Sequence, residues 1–205
     1  MTKRQGPAAF VLASGSAGRL RVLRDAGFDP EVVVSGIDET ADGRLATAEL
    51  VLVLAERKAV AVAKLRPGAL VLGCDSLLDL DGEPLGKPDS AEQATEMWRR
   101  LAGREATLHT GHCLIDGAGG RQVRGVASTI VRFGQPTEAE LAAYVASGEP
   151  LMLAGAFSID GRGAPFIDGI DGDPSNVIGL SLPLLRSMLA KLGLAVADLW
   201  RPSGT

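Results

Sequence analysis

The stretch LVLGCDSLLDLDGEPLGKP, residues 70–88, opens as apolar as any core strand and then places a carboxylate, Asp75, in its middle. A chain that buries most of LVLGCDSLL must also deal with that charge. An ionised carboxylate in apolar surroundings is costly unless it is paired, hydrogen-bonded or metal-bound. Either Asp75 has a partner inside the fold, or the strand reaches a cleft at that point.

Around this strand the chain alternates strand-like and helix-like segments. AAFVLAS reads as a buried strand running into the small-residue loop Ser14-Gly15-Ser16-Ala17-Gly18, then a helix with Leu20, Leu23 and Ala26 on one face and Gly27 at its end. PEVVVSG is the next strand, followed by the acidic turn Ile37-Asp38-Glu39-Thr40, and a helical pattern covers Thr47–Leu65. Asp81-Gly82 marks a hairpin turn after Leu80. Ser90 to Gln93 and Thr137 to Glu140 carry capping-box patterns that start two helices. Strands are expected over 108–115 and 122–133, a glycine-rich segment over 154–179, and a last helix with Ser181 as N-cap and Pro183 in its first turn. Some strands are joined by hairpins and others by helices. The expectation is therefore an α/β fold with a mixed central sheet and flanking helices, in one domain covering 1–205.

Length and composition narrow the function classes. The chain has 205 residues, 46% apolar and 22% charged, as in an ordinary globular protein with a sizeable core. A net charge of −4 gives no basic footprint for nucleic acid. The basic start MTKRQGPAAF leads into too short an apolar run for a signal peptide or a membrane span. Cys74 and Cys113 lack metal-ligand spacing and read as buried thiols in a reducing compartment. The protein is read as cytoplasmic, without a nucleic-acid or membrane partner.

Several residues could carry chemistry. The loop before the first helix, with Arg19 and Arg21 in its first turn, suits a phosphate but lacks the spacing of known phosphate loops, and an ordinary strand-to-helix turn is the first reading of it. Leu50, Leu54, Lys58, Ala61 and Leu65 share one helical row. Lys58 fits either a lysine snorkelling from the core rim or a cation turned into a cleft. Lys87 ends the returning strand of the hairpin and can bring a second cation to the end of the sheet that holds Asp75; Glu39 adds a carboxylate after its own strand. Two carboxylates suit Mg²⁺ or Mn²⁺ carrying a polyphosphate, and lysines with an arginine suit the phosphate charge. His109 and His112 have no partner at metal spacing and take core or turn roles. FIDGIDGDPSN lacks the spacing of a calcium loop and reads as a glycine-rich loop near a substrate.

LASGSAGR, GIDET, LAERKA, GCDSLLDLDGEPLGKP, HTG, AGAFSIDGRG and GDPSNVIGL, taken in this order, resemble the Maf family of nucleoside triphosphate pyrophosphatases over roughly residues 10–192. The resemblance implies two lobes around a cleft, related to inosine triphosphatases, and divalent-metal-assisted hydrolysis of a nucleoside triphosphate to monophosphate and pyrophosphate. It implies Asp75 as the catalytic proton acceptor, Ser14, Arg19, Glu39, Lys58 and Lys87 as substrate-binding groups, and Glu39 with Asp75 as metal-handling carboxylates. A role in clearing modified or surplus nucleotides follows from it, and a homodimer is common among such proteins.

Departures from the family pattern bear on the base. The family usually has Pro where this chain has Ala17, and often a bulky or basic residue where it has Gly18. Its branches carry Thr or Gln at the position of Ser76, and Gln or Glu at that of Asp160. Gly18, Ser76 and Asp160 are therefore the expected specificity positions, and they match neither branch. The rival reading is a nucleotide-binding regulator of septum formation without significant catalysis, which would bind nucleotide and release no pyrophosphate.

Overall fold

The computed structural model describes residues 9–39 and 45–201. Strands β1 (Phe10–Leu12), β2 (Glu31–Val32), β3 (Leu70–Leu80), β4 (Glu83–Leu85), β5 (Glu105–Asp116), β6 (Arg121–Phe133) and β7 (Ile167–Asp171) form one sheet. Its order is β2-β1-β3-β5-β6-β7, with β4 on β3. The helices are α1 (Ala17–Asp25), α2 (Thr47–Leu65), α3 (Ala91–Leu101), α4 (Glu138–Ala146), α5 (Pro174–Val177) and α6 (Leu182–Lys191). This is the mixed α/β architecture expected. The extended run after residue 30 pairs over only two residues, and Thr40 lies outside the described residues. The glycine-rich segment 154–179 holds more order than its composition indicates: β7 pairs antiparallel with β6 there, and α5 follows.

Pairing around β3 creates the feature that matters for function. One edge of β3 is paired with β5 continuously from Leu70 to Asp79. On the other edge, parallel β1 matches only Leu70 to Leu72, and antiparallel β4 returns at Leu78 to Leu80. Residues 73–77 therefore have no strand on that edge. The chain after β1 turns into α1 instead of continuing, because Ser16 caps the helix by accepting the Arg19 N–H. A notch opens in the sheet where α/β folds place ligands.

Helices cover both faces of the sheet. On one side α2 lies so close that a Cβ on Gly73 would fall 2.3 Å from the Ala55 carbonyl oxygen, and one on Gly111 2.2 Å from that of Val51. On the other side, α1 and α6 pack Val22, Leu23, Leu185, Met188 and Leu189 against Leu70, Leu72 and Cys74. Beyond the notch a separate core gathers around Trp98, which meets Phe133 and Tyr144 edge-on and donates from Nε1 to the Ala156 carbonyl at 2.7 Å. The Ser90 hydroxyl accepts from the Gln93 N–H as expected, but the Gln93 side chain reaches the N–H of Asp89 and not that of Ser90.

His112 pins α6 to β5. Its Nδ1 donates to the Thr110 carbonyl at 3.0 Å and its Nε2 accepts the Ser181 N–H at 2.9 Å, which fixes a neutral tautomer. Burial, with a smaller push from Arg19, lowers its pKa to about 4.

Two expectations follow. Gly111→Ala forces a methyl group into the α2 backbone and should destabilise by about 1–3 kcal/mol or more, read as a lower urea midpoint. The unfolded imidazole titrates near 6.5, so below that pH the unfolded chain takes up a proton that folded His112 refuses. Stability from this group is complete above about pH 6.5 and is lost as pH falls towards about 4, a loss of about 3 kcal/mol. Urea unfolding between pH 7 and 4.5 should accordingly be steeper in pH for the wild type than for His112→Asn.

Candidate active site

Side chains of successive β3 residues point to opposite faces of the sheet. Asp75 shares the α2 face with Gly73, and Ser76 shares the α1 face with Cys74. Each anchors half of a site, and the two halves flank the notch.

On the α2 face, Lys58 turns inward from the row Leu50, Leu54, Lys58, all buried. Its Nζ lies 2.5 Å from Asp75 Oδ1 and 2.8 Å from Glu39 Oε1. Lys58 and Asp75 are buried, whereas Glu39 is 59% exposed and closes the pair from the solvent side. Between the two readings of Lys58, the cleft-facing cation is the one adopted. Asp75 has both the partner and the cleft that its position in a core strand demands.

On the α1 face, Arg19 is 8% exposed. Its Nε donates to the Gly179 carbonyl at 2.8 Å, and its two terminal nitrogens donate to Ser14 Oγ and Ser76 Oγ, each at 3.0 Å. Every acceptor is neutral, and among the described residues no carboxylate pairs with Arg19. A guanidinium has five N–H donors, so two remain for a ligand. The fork is thus oriented, buried and, among the described residues, without a countercharge, which is the state of an anion receptor.

The two halves lie within electrostatic reach of one residue of β3. The buried Cys74 thiol, pushed up to about 12 by burial, feels Arg19 from one face and Asp75 and Lys58 from the other. Arg19 on one face and the Lys58–Asp75–Glu39 cluster on the other thus flank the same stretch of β3, next to its unpaired edge.

Residues behind Arg19 fix its geometry, and sequence reasoning assigned them no role. The Ser76 hydroxyl bonds Thr110 Oγ1 at 2.9 Å, which reaches the Asn176 carbonyl at 3.3 Å. Asn176 Nδ2 donates to the Leu108 carbonyl and to Thr129 Oγ1. Thr110 and Asn176 lie in the HTG and GDPSNVIGL segments; the available signal was a hydroxyl and an amide in otherwise buried runs.

The remaining candidates fall around this centre. Lys87 is exposed, just beyond the β3–β4 ladder, and lines a surface cavity of about 350 Å³ with Glu83, Gln93, Glu96 and Arg100; it contacts none of Arg19, Lys58, Glu39 and Asp75. A Cβ on Gly18 would lie 3.2 Å from the Ile178 carbonyl, so the absent side chain lets α1 pack against that backbone. Ser76 is engaged with Arg19 and Thr110. Asp160 pairs with Arg21 on α1.

Glu39 and Asp75 each spend one oxygen on Lys58, and their second oxygens carry no hydrogen bond among the described residues. No group of three or more His, Cys, Asp or Glu side chains able to hold a metal occurs among those residues. Two hard oxygen donors without a third fit Mg²⁺ or Mn²⁺ arriving on phosphate oxygens and keeping several waters, rather than a closed protein cage.

Comparison with known proteins gives the family. Residues 9–192 match the Maf-like protein family. The chain is 62% identical over 197 residues to a protein of Streptomyces coelicolor, covering 95% of each. It is 60% identical to one of Streptomyces avermitilis, covering 94% of this chain and 95% of the relative. A Mycobacterium relative is 53% identical over 203 residues, covering 93% of this chain and 97% of its own length. All three carry the name nucleoside triphosphate pyrophosphatase. With the match spanning both halves of the site and nearly all of the sheet, the chain belongs to the Maf family.

Proposed function

We propose that this protein hydrolyses nucleoside triphosphates to nucleoside monophosphate and pyrophosphate, and that a Mg²⁺ or Mn²⁺ ion accompanies the substrate. The observation that carries the reading is the buried, oriented Arg19, which pairs with no carboxylate among the described residues and whose partner Ser76 adjoins Asp75 in β3. The names of the Maf relatives support the same activity. Arg19, Lys58, Glu39 and Asp75 sum to zero charge, so they offset none of a triphosphate's charge as a set, and a divalent cation arriving with the substrate would offset part of it. Glu39 and Asp75 would hold that ion, which supplies charge neutralisation on the phosphate oxygens.

In this mechanism Arg19 takes the phosphate oxygens with its two spare N–H donors while Ser14, Ser76 and Gly179 keep the fork in place. Asp75 accepts the proton of a water whose oxygen forms a bond to the α-phosphorus, as the bond from that phosphorus to the bridging oxygen of the β-phosphate breaks. The pyrophosphate leaves with the electron pair of that bond. Lys58 holds the Asp75 carboxylate in place for the transfer. Lys87, exposed beyond the β3–β4 ladder, is assigned to the outer phosphates by its GKP motif rather than by a contact with the other four groups.

Two observations bear on the protein's setting. Cys74 and Cys113 are free and buried, in keeping with a reducing cytoplasm. No described helix is long and apolar enough to cross a membrane.

Pyrophosphate release from a panel of canonical and modified triphosphates, with Mg²⁺ or Mn²⁺ and after EDTA treatment, tests the proposal. Removal of a positioned proton acceptor costs about 10²–10⁴-fold, so Asp75→Asn should lose that much kcat while its far-UV spectrum stays native. Full turnover by Asp75→Asn removes the assigned base. Nucleotide binding without pyrophosphate release by the wild type would instead support a regulator.

A further inference from the structure

The two cations beside β3 differ in how an anion can reach them. Arg19 keeps two N–H donors that no described residue takes, whereas Lys58 is covered. The Lys58 side chain is 8% exposed and that of Asp75, its inner partner, 9%, so the ammonium presents almost no surface of its own. Glu39 bonds the same Nζ at 2.8 Å while remaining 59% exposed. It therefore stands between the ammonium and the solvent, and an oxygen that approaches Nζ from outside meets Glu39 Oε1 first.

This contact sets both the charge and the hydrogen-bonding capacity of the α2 side. One ammonium against two carboxylates leaves the cluster net negative, so as it stands it repels a phosphate. Lys58 and Asp75 alone are balanced, and taking Glu39 away returns an N–H donor to an incoming oxygen. Among the described residues the Glu39 carboxylate has no other bond to hold it there. An ion pair with an exposed partner is weak and exchanges readily. A divalent cation on the free oxygen of Glu39 draws on the same negative charge and loosens its hold on Nζ.

We propose that Glu39 is a specificity-determining residue that selects the metal-complexed form of the substrate. Bonded to Lys58, it denies that ammonium to a bare phosphate chain; shared with a divalent cation, it yields Lys58 to the chain that the cation accompanies. The proposal rests on the pyrophosphatase reading above only for the identity of the anion.

Binding of inorganic pyrophosphate, followed by isothermal titration calorimetry in EDTA and again with Mg²⁺, tests it without turnover. In EDTA, Glu39→Gln should bind pyrophosphate about tenfold more tightly than the wild type, the gain of one charge-assisted contact at Lys58. Mg²⁺ should tighten binding by the wild type, and by a factor about tenfold smaller in Glu39→Gln, because the coupling between ion and anion runs through this carboxylate. Glu39→Asp keeps the charge but is one methylene too short for the contact, so it should also bind more tightly in EDTA, which a general field effect does not produce. Glu49→Gln removes one charge from the exposed start of α2 and should match the wild type. Equal affinities of wild type and Glu39→Gln in EDTA, no binding there by Glu39→Gln, wild-type affinity in Glu39→Asp, an undiminished Mg²⁺ effect in Glu39→Gln, or a gain shared by Glu49→Gln overturns the proposal. If these affinities fall as expected but the wild type releases no pyrophosphate from triphosphates, the gate on Lys58 stands and the pyrophosphatase reading falls. If the wild type releases pyrophosphate while wild type and Glu39→Gln bind it equally in EDTA, the reverse holds.

Discussion

The buried Lys58–Asp75 pair is the constraint around which the rest of the fold is arranged. Withdrawing two charges from water is expensive, and their attraction repays it only where the geometry is good and further partners are supplied. Here Nζ sits 2.5 Å from Oδ1, and Glu39 adds a second, solvent-facing carboxylate to the same ammonium. A well-packed apolar pair would serve stability at least as well, whereas removing one partner alone typically costs about 3–5 kcal/mol. Stability therefore does not account for the pair. Its position beside an open sheet edge does: a carboxylate fixed in one orientation is what proton transfer from water requires.

That open edge explains why two neighbouring residues of one strand can serve one ligand although their side chains diverge. In a fully paired sheet, Asp75 and Ser76 would face separate compartments. Because β1 stops at Leu12 and β4 begins at Glu83, no strand walls off residues 73–77, and α1 and α2 flank that stretch from opposite faces. The short β1 is thus as much a part of the site as the side chains. A longer β1 would pair the edge, extend strand where Ser16 caps α1, and carry Arg19 away from Ser76.

Much of the frame was legible because local rules and tertiary contacts agree there. The span of α2, the hairpin at Asp81-Gly82, and the caps at Ser90, Thr137 and Ser181 all follow from nearest-neighbour chemistry. β7 was not legible: IDGID is glycine-interrupted and acidic, and it becomes a strand only because β6 offers it an edge. In the site, Lys58 could be placed on an apolar row but its direction could not, since periodicity cannot separate a snorkelling lysine from a cleft-facing one. The Maf-like motifs tipped that balance before any coordinates did. Thr110 and Asn176 escaped because they touch Arg19 only through Ser76 and through backbone carbonyls, and no spacing rule reports a relay. Gly18 reads differently once α1 is seen against Ile178, since close helix packing alone calls for a residue without a side chain.

The two cations of the notch are held in opposite ways, and the difference assigns their work. Lys58 is held by carboxylates, which cancel most of its field; what it provides is the position of Asp75. Arg19 is held by two hydroxyls and a carbonyl, dipoles that orient the fork and leave its charge intact. Had a carboxylate stood where Ser76 does, the guanidinium would be as well anchored but would meet a phosphate already neutralised. Fixed neutral dipoles around a buried charge are the arrangement in which a low-dielectric site stabilises an incoming anion without reorganising. The Thr110–Asn176 relay extends the same logic outward: each successive support is a hydroxyl, an amide or a backbone carbonyl, and none introduces a negative charge that would compete with substrate for Arg19.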